Sequence, residues 1–97
     1  MENYQVAETL EEVARLMELH GENPFKIRSY QNAAFKIDRL KEKLAGKTVE
    51  ELAGIDGIGK SLSQKIHLLI ETGTLADREA LIAATPEGVI ELMHIKG

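Results

Sequence analysis

The sequence predicts an all-α fold, a small helical bundle. Apolar residues recur at spacings of three and four along most of the 97 residues, which is the period of a helix that buries one face. No segment alternates apolar and polar residues for long enough to predict a strand. Glycines, prolines and cap-forming residues separate the helical stretches and mark where each predicted helix begins or ends.

The first predicted helix spans about Asn3 to His20 and ends at Gly21. The second begins with Asn23 as its N-cap and Pro24 at its first position, where the fixed φ of proline is favourable. This second helix is expected to stop before Gly46. The apolar faces are formed by Val6, Leu10, Val13 and Met17 in the first helix, and by Phe25, Ile27, Tyr30, Ala34, Ile37 and Leu40 in the second.

Thr48 opens a short third helix, which runs through Ala53. The sequence Thr48-Val49-Glu50-Glu51 is a capping box, in which the threonine and the second glutamate each accept a backbone N–H at the helix start. A fourth helix is predicted to end at Gly73. Its apolar stripe consists of Leu62, Ile66, Leu69 and Ile70.

The segment Ile55-Asp56-Gly57-Ile58-Gly59-Lys60 lies between the third and fourth helices. Gly57 and Gly59 permit positive φ and a close approach of the backbone to a ligand. Ile58 is expected to point inward and anchor the turn. The amides of Ile58, Gly59 and Lys60 would then project at the positive end of the fourth helix, where a phosphate oxygen can bind. This is the helix-hairpin-helix pattern, at about residues 48–72, which binds nucleic-acid backbone without reading bases.

Two shorter helices are predicted near Asp77 to Ala84 and Pro86 to Met93, the second capped by Thr85. The last residues, Ile95-Lys96-Gly97, repeat the hydrophobic-x-Gly opening of the hairpin. We therefore expect residues 1–97 to be one domain and a fragment that stops at the start of a second hairpin. An ordinary frayed tail is the alternative interpretation.

The composition excludes several classes of function. The chain has no cysteine, which excludes disulfides, thiolate zinc sites and cysteine nucleophiles. No apolar run approaches the roughly 20 residues that span a bilayer, and the N-terminus does not resemble a signal peptide. We expect a cytoplasmic protein without membrane contact, associated with the nucleoid if it is bacterial. Asp38, Asp56 and Asp77 are isolated in the sequence, so the paired aspartates that hold two metal ions in a polymerase are absent.

The distribution of charge favours a nucleic-acid partner although the whole chain has a net charge of −4. Residues 26–65 hold nine of the twelve Lys and Arg residues and five of the sixteen Asp and Glu residues, so this part carries +4 and the rest −8. Local potential governs contact with phosphate more than the total charge does. Ordinary solvated helix charges are the alternative. A diffuse attraction is expected from Lys36, Arg39, Lys41, Lys43 and Lys47.

Four short blocks carry a resemblance to a known family: Asn23-Pro-Phe-Lys-Ile-Arg-Ser-Tyr-Gln-Asn-Ala-Ala34, Ile55-Asp-Gly-Ile-Gly59, Lys65-Ile66 and Glu71-Thr-Gly-Thr-Leu75. In this order and spacing, the chain from Val6 to Gly97 resembles the N-terminal domain of family X DNA polymerases, the DNA polymerase beta group. Its Asn-Pro-Phe-Lys segment is closer to the bacterial branch of that family.

The resemblance implies a helical domain that binds the 5′-phosphate side of gapped or nicked DNA during base excision repair. It implies that Lys26 and Tyr30 contact the terminal phosphate. It also places Lys65 where lyase-active members have the lysine that attacks the sugar aldehyde of an abasic 5′ end.

A monovalent cation is a further implication of the resemblance. The backbone carbonyls of Ala53, Ile55 and Ile58 occupy the positions that hold Na⁺ or K⁺ at the hairpin in that family. No cofactor is expected to be required.

Two positions depart from the vertebrate member of the family. Phe25 stands where that enzyme has a histidine in its phosphate pocket, and Ser61 stands where it has a phosphate-binding lysine. Lys60 is adjacent to Ser61 but displaced by about 100° around the helix. Arg28 is the candidate for a compensating cation. These departures weaken the expectation of lyase activity more than that of DNA binding.

Lys65 and Tyr30 each have two interpretations from the residues alone. Partial desolvation or a neighbouring cation would lower the pKa of Lys65 and supply the free amine that an imine requires. A lysine at the flank of an apolar stripe is otherwise an ordinary side chain that keeps its ammonium in water. The hydroxyl of Tyr30 either donates to phosphate or is the polar tip of a core residue.

The favoured hypothesis is a monomeric, non-sequence-specific DNA-binding module of a family X polymerase-like repair protein. It would bind through Lys26, Arg28, Tyr30 and the hairpin residues Gly57, Ile58, Gly59, Lys60 and Ser61. The alternatives are a 5′-deoxyribose phosphate lyase that uses Lys65, and a helical protein-interaction module with a purely structural hairpin.

Overall fold

The computed structural model describes residues 1–89 and contains five α-helices and no strand within them. In chain order the helices are α1 (Asn3–Leu19), α2 (Pro24–Arg39), α3 (Val49–Ala53), α4 (Lys60–Thr72) and α5 (Ala76–Ala83). This confirms the predicted all-α class. Within residues 1–89, no helix has the length and apolar character that crossing a membrane requires.

The helix pair α1 and α2 forms the main packing unit. The predicted stripe of α1 is fully buried, and α2 contributes Tyr30, Ala33, Ala34 and Ile37 to the same core. Asn23 caps α2 as predicted, because its side-chain oxygen accepts the N–H of Phe25 at 2.8 Å. Phe25 was expected on the apolar face, but 75% of it is exposed.

Helix α2 stops before Gly46, as predicted, but it does not reach Leu40, which was expected on its apolar face. The helix ends at Arg39, and Leu40 is extended, with φ −71° and ψ 135°. The chain then turns so that Leu44 is fully buried and its N–H donates to the Oδ1 of Asn3 at 3.0 Å. Asn3 in turn donates to the carbonyl of Glu42 at 2.6 Å. This contact with the start of α1 stabilises a turn where a longer α2 would otherwise continue.

Helices α3 and α4 form the two arms of the hairpin. The capping box at Thr48 is present, with the N–H of Glu51 donating to Thr48 Oγ1 at 3.2 Å and the N–H of Thr48 donating to Glu51 Oε1 at 3.0 Å. Ile58 is 4% exposed, so it anchors the turn as expected. Helix α4 buries Leu62, Ile66 and Leu69, and it ends at Gly73 in the left-handed conformation, with φ +76°.

Helix α5 packs with Leu81 partly buried against the core and forms an ion pair with α1, but it has no fully buried residue of its own. The Nε of Arg78 lies 2.9 Å from Oε1 of Glu12 on α1. Residues 87–89 are helical at the start of the segment predicted as the last helix. The rest of that segment and the predicted second hairpin at residues 95–97 lie outside the described residues.

Candidate functional site

A groove of about 310 Å³ lies between α2, α4 and the hairpin. Six of the nine residues that line it were predicted as site residues from the sequence. The lining consists of Lys26, Ser29, Tyr30, Asn32, Gly57, Gly59, Ser61, Leu62 and Lys65. The structure thus brings together two of the three predicted lysines, the tyrosine and both hairpin glycines.

Helical spacing explains why these side chains meet. Lys26 and Tyr30 lie four residues apart on α2, and Ser61 and Lys65 lie four residues apart on α4, so each pair occupies one helix face. The two faces line opposite sides of the groove and meet where Lys65 Nζ lies 3.1 Å from the hydroxyl oxygen of Tyr30.

The amino end of α4 is open towards a ligand. Gly59 is the N-cap of this 13-residue helix and has no side chain with which to accept the first N–H groups. Gly59 also lines the groove. The free amides and the positive end of the helix dipole therefore add to the lysines as a site for an anion.

The two hairpin glycines differ in backbone conformation and in the space around them. Gly57 has φ +92°, as predicted, and a Cβ on it would lie 2.8 Å from Cγ of Lys36. Gly59 was also expected to permit positive φ, but its φ is −79° and a Cβ on it would meet nothing within 4 Å. Neither the backbone conformation nor the packing therefore requires a glycine at position 59.

Lys36 contributes to the hairpin in a way that the sequence did not indicate. Its stem packs against Gly57, and its ammonium forms an ion pair with Asp56 at 3.5 Å. The sequence suggested only a diffuse solvated charge there. Contact between residues 36 and 57 depends on how α2 lies against the hairpin, which periodicity within α2 does not reveal.

Asp77 contacts two residues of the groove, and the sequence did not indicate this. It was interpreted as isolated, but its Oδ2 lies 2.5 Å from Lys65 Nζ and accepts the hydroxyl of Tyr30 at 2.8 Å. Lys65, Tyr30 and Asp77 therefore form a closed set of three hydrogen bonds at one side of the groove. Asp77 reaches this set from α5, across a chain separation that no local motif describes.

The contacts of Lys65 favour a raised pKa, and not the lowered pKa that one of its two interpretations from the sequence required. Burial alone lowers the pKa of Lys65, but hydrogen bonds to Asp77 and Tyr30 outweigh it and raise the pKa above 10.5. For Asp77, burial raises the pKa, while the bonds from Lys65 and Tyr30 and the charge of Lys26 bring it below 3.8. Burial is also the main cause of the raised pKa of Tyr30. The set is thus held as an ammonium, a carboxylate and a neutral phenol.

Three of the predicted DNA-binding residues do not line the groove. Ile58 is buried beneath the hairpin, whereas Arg28 on α2 and Lys60 at the start of α4 are exposed. Phe25 is exposed at the first turn of α2. Lys60 and Arg28 can add long-range attraction, but the groove itself is built from Lys26 and Lys65.

The cation expected at the hairpin stays a prediction. The carbonyl oxygens of Ala53, Ile55 and Ile58 are hard donors that suit Na⁺ or K⁺, and the carbonyl of Ile55 accepts the N–H of Ile58 at 3.1 Å. A carbonyl oxygen has a second lone pair, so this bond leaves Ile55 able to coordinate an ion. In the described part of the chain, no group of His, Cys, Asp and Glu side chains could hold a metal ion.

Comparison with known proteins gives two matches. Residues 1–75 match the family described as helix-hairpin-helix domain. The whole chain is 30% identical, over 97 residues, to DNA polymerase/3'-5' exonuclease PolX of Bacillus subtilis strain 168. The chain spans 17% of the length of that relative.

Proposed function

The chain belongs to the helix-hairpin-helix domain family, and from this membership we propose that it is a non-sequence-specific DNA-binding module of a family X DNA polymerase-like repair protein. The resemblance to the N-terminal domain of family X polymerases is confirmed by the family match and by the Bacillus relative. DNA is the partner that these findings indicate. The finer proposal is that the groove takes the 5′-phosphate side of a gap.

The groove is the observation that carries this proposal. Lys26 and Lys65 supply two ammonium groups, and the uncapped start of α4 supplies backbone N–H donors beside them. A terminal phosphate is small, carries roughly −1.5 to −2 charges at neutral pH and accepts several hydrogen bonds. None of these donors is arranged to distinguish bases, which agrees with binding that depends on the backbone alone.

The polymerase and exonuclease activities in the name of the Bacillus relative describe that whole protein. The chain corresponds to 17% of that protein, and the paired aspartates of a polymerase were not found in the sequence. Binding and positioning of DNA is therefore the role that we propose for this domain.

Fluorescence anisotropy on a one-nucleotide gapped duplex, with and without the 5′-phosphate, tests the proposal. We expect tighter binding to the phosphorylated gap and a steep loss of affinity between about 50 and 200 mM salt. The loss is expected because binding releases counterions from the DNA, and this release is less favourable at high salt. The matched pair of variants is Lys26→Ala, in the groove, and Lys41→Ala, which is exposed outside it. Lys26→Ala should reduce the preference for phosphate, and Lys41→Ala should leave that preference unchanged.

Two other outcomes would redirect the proposal. Affinity that does not depend on salt or phosphate would favour the protein-interaction alternative, because apolar docking is insensitive to ionic strength. The lyase alternative predicts an imine between Lys65 and an abasic 5′ end, which borohydride converts into a permanent crosslink. The raised pKa of Lys65 predicts that the crosslink yield rises with pH, and Lys65→Ala should abolish it.

A further inference from the structure

The hydroxyl of Tyr30 is already engaged in the free domain. A phenol has one proton to donate, and Tyr30 donates it to Oδ2 of Asp77 at 2.8 Å. Its oxygen accepts from Lys65 at 3.1 Å. Tyr30 is also only 2% exposed. The hydroxyl therefore cannot donate to a phosphate in the groove while Asp77 holds its proton.

Lys65 is held by the same carboxylate. Its ammonium has three N–H donors, and two of them point to Asp77 and Tyr30. The side chains of Lys65 and Asp77 are 29% and 32% exposed, so the pair is only partly screened by water. Asp77 thus offsets one of the two positive charges that line the groove.

The position of Asp77 is fixed by its own helix. The neighbouring residue, Arg78, forms an ion pair at 2.9 Å with Glu12 and so ties α5 to α1. By contrast, the ammonium of Lys26 makes no hydrogen bond or ion pair within residues 1–89, although its charge lowers the pKa of Asp77. The groove therefore has one lysine open to a ligand and one that an internal anion occupies.

We propose that Asp77 is an internal counter-anion of the groove, which holds Lys65 and Tyr30 in the free domain and releases them when a terminal phosphate binds. This rests on the proposed function and deepens it, because it assigns to Asp77 the control of phosphate affinity. A phosphate monoester carries more negative charge than a carboxylate and can replace Asp77 as the partner of Lys65. A neutral hydroxyl at the 5′ end carries no such charge and leaves the Asp77 contacts intact.

Asp77→Asn tests the inference, and Asp38→Asn is its matched control. Both variants remove one negative charge, but Asp38 is exposed on α2 outside the groove. Binding is measured by anisotropy on the gapped duplex with a 5′-phosphate and on the same duplex with a 5′-hydroxyl. We expect Asp77→Asn to raise the phosphate-to-hydroxyl affinity ratio by roughly threefold, the size of a partly exposed ion pair. Asp38→Asn should change both affinities by the same factor.

The outcomes separate this inference from the proposed function. If the unaltered chain binds the phosphorylated gap but the ratio is the same in Asp77→Asn and Asp38→Asn, the role of Asp77 is refuted and DNA binding stands. If neither the chain nor Asp77→Asn binds either duplex at low salt, both proposals fail. Binding by Asp77→Asn alone would support the inference and show that Asp77 suppresses affinity in the unaltered chain.

A second measurement needs no variant and so does not depend on how well Asp77→Asn folds. The ¹³C resonance of the Asp77 carboxyl carbon reports the loss of its hydrogen bonds. We expect it to move when the unaltered chain is saturated with phosphorylated duplex and to stay in place with the hydroxyl duplex. An unmoved resonance at saturation, or equal movement with both duplexes, would overturn the inference.

Discussion

Gly57 and Gly59 flank the same buried isoleucine, yet the backbone places different demands on them. Gly57 combines φ +92° with a close approach to Lys36, whereas Gly59 has an ordinary extended conformation and open space around it. Substitution of these two glycines is therefore expected to change different properties of the protein. One substitution is expected to affect the stability of the hairpin, and the other the binding of its ligand.

Gly57→Ala should lower the free energy of unfolding by about 1–2 kcal/mol, because a residue with a Cβ is strained at positive φ. The displacement of the Lys36 stem adds to this cost. Urea unfolding measures the change. Gly88→Ala is the control, since a Cβ at Gly88 meets nothing within 4 Å and no positive φ is required there. Equal midpoints for the two variants would show that the hairpin does not need a glycine at 57.

Gly59→Ser should separate binding from stability. Serine is a good N-cap, and its hydroxyl can accept an N–H at the start of α4, so we expect unfolding free energy to be unchanged or raised by a few tenths of a kcal/mol. The same hydroxyl would take an amide that the proposed phosphate needs, so DNA affinity should fall. Urea unfolding and anisotropy on one preparation measure both. Unchanged affinity in this variant would argue against the helix start as a phosphate contact.

At the scale of elements, signals near helix starts were the most reliable guides. Asn23 before Pro24 and the capping box at Thr48 depend on contacts within three residues, and the structure contains both. How far before Gly46 α2 ends was not predicted, because Leu44 is held by Asn3, 41 residues away in the chain. A sequence pattern within one helix carries no information about such a partner.

The contact between α4 and α5 makes stability depend on pH in a defined way. The folded pKa of Asp77 is lowered, so its contribution is present above the usual carboxyl value of 3.8 and is lost as pH falls through the folded value. The folded pKa of Lys65 is raised, so its contribution is present below 10.5 and is lost as pH rises through the folded value. Between these limits the contribution of the pair should be constant.

We therefore expect the free energy of unfolding of the unaltered chain to be higher than that of Asp77→Asn. The difference should be constant between about pH 5 and 9 and should shrink below about pH 4. Urea unfolding at several pH values measures it, with Asp38→Asn as the reference for a general loss of charge. A difference that persists undiminished at pH 2 would mean that Asp77 stabilises the fold through something other than its ionised carboxylate.

In the molecule as a whole, the set of three hydrogen bonds beside the groove depends on three helices. Tyr30, Lys65 and Asp77 come from α2, α4 and α5, respectively. The sequence supplied the first two through the family resemblance and the helical spacing, because each lies in a recognisable block. It gave no sign of Asp77, since the pairing arises only when α5 folds back onto α1.

This dependence predicts the effect of removing α5. The family match ends at residue 75, but a chain of residues 1–75 loses the Arg78–Glu12 ion pair, the Asp77 contacts and the partly buried Leu81. We expect it to melt at a lower temperature than residues 1–89, which retain all three. Circular dichroism measures both melts. Equal melting temperatures would show that α5 contributes nothing to the core formed by α1–α4.

The bond between Tyr30 and Asp77 also gives the molecule an optical property. The chain has two tyrosines and no tryptophan, and Tyr4 is 55% exposed whereas Tyr30 is 2% exposed. A phenol that donates to a carboxylate can lose its excited state by proton transfer, so we expect weak emission from Tyr30 while Asp77 accepts its proton. Any ligand that draws Asp77 away should therefore brighten the intrinsic fluorescence of the domain, without a label and most clearly in a Tyr4→Phe background.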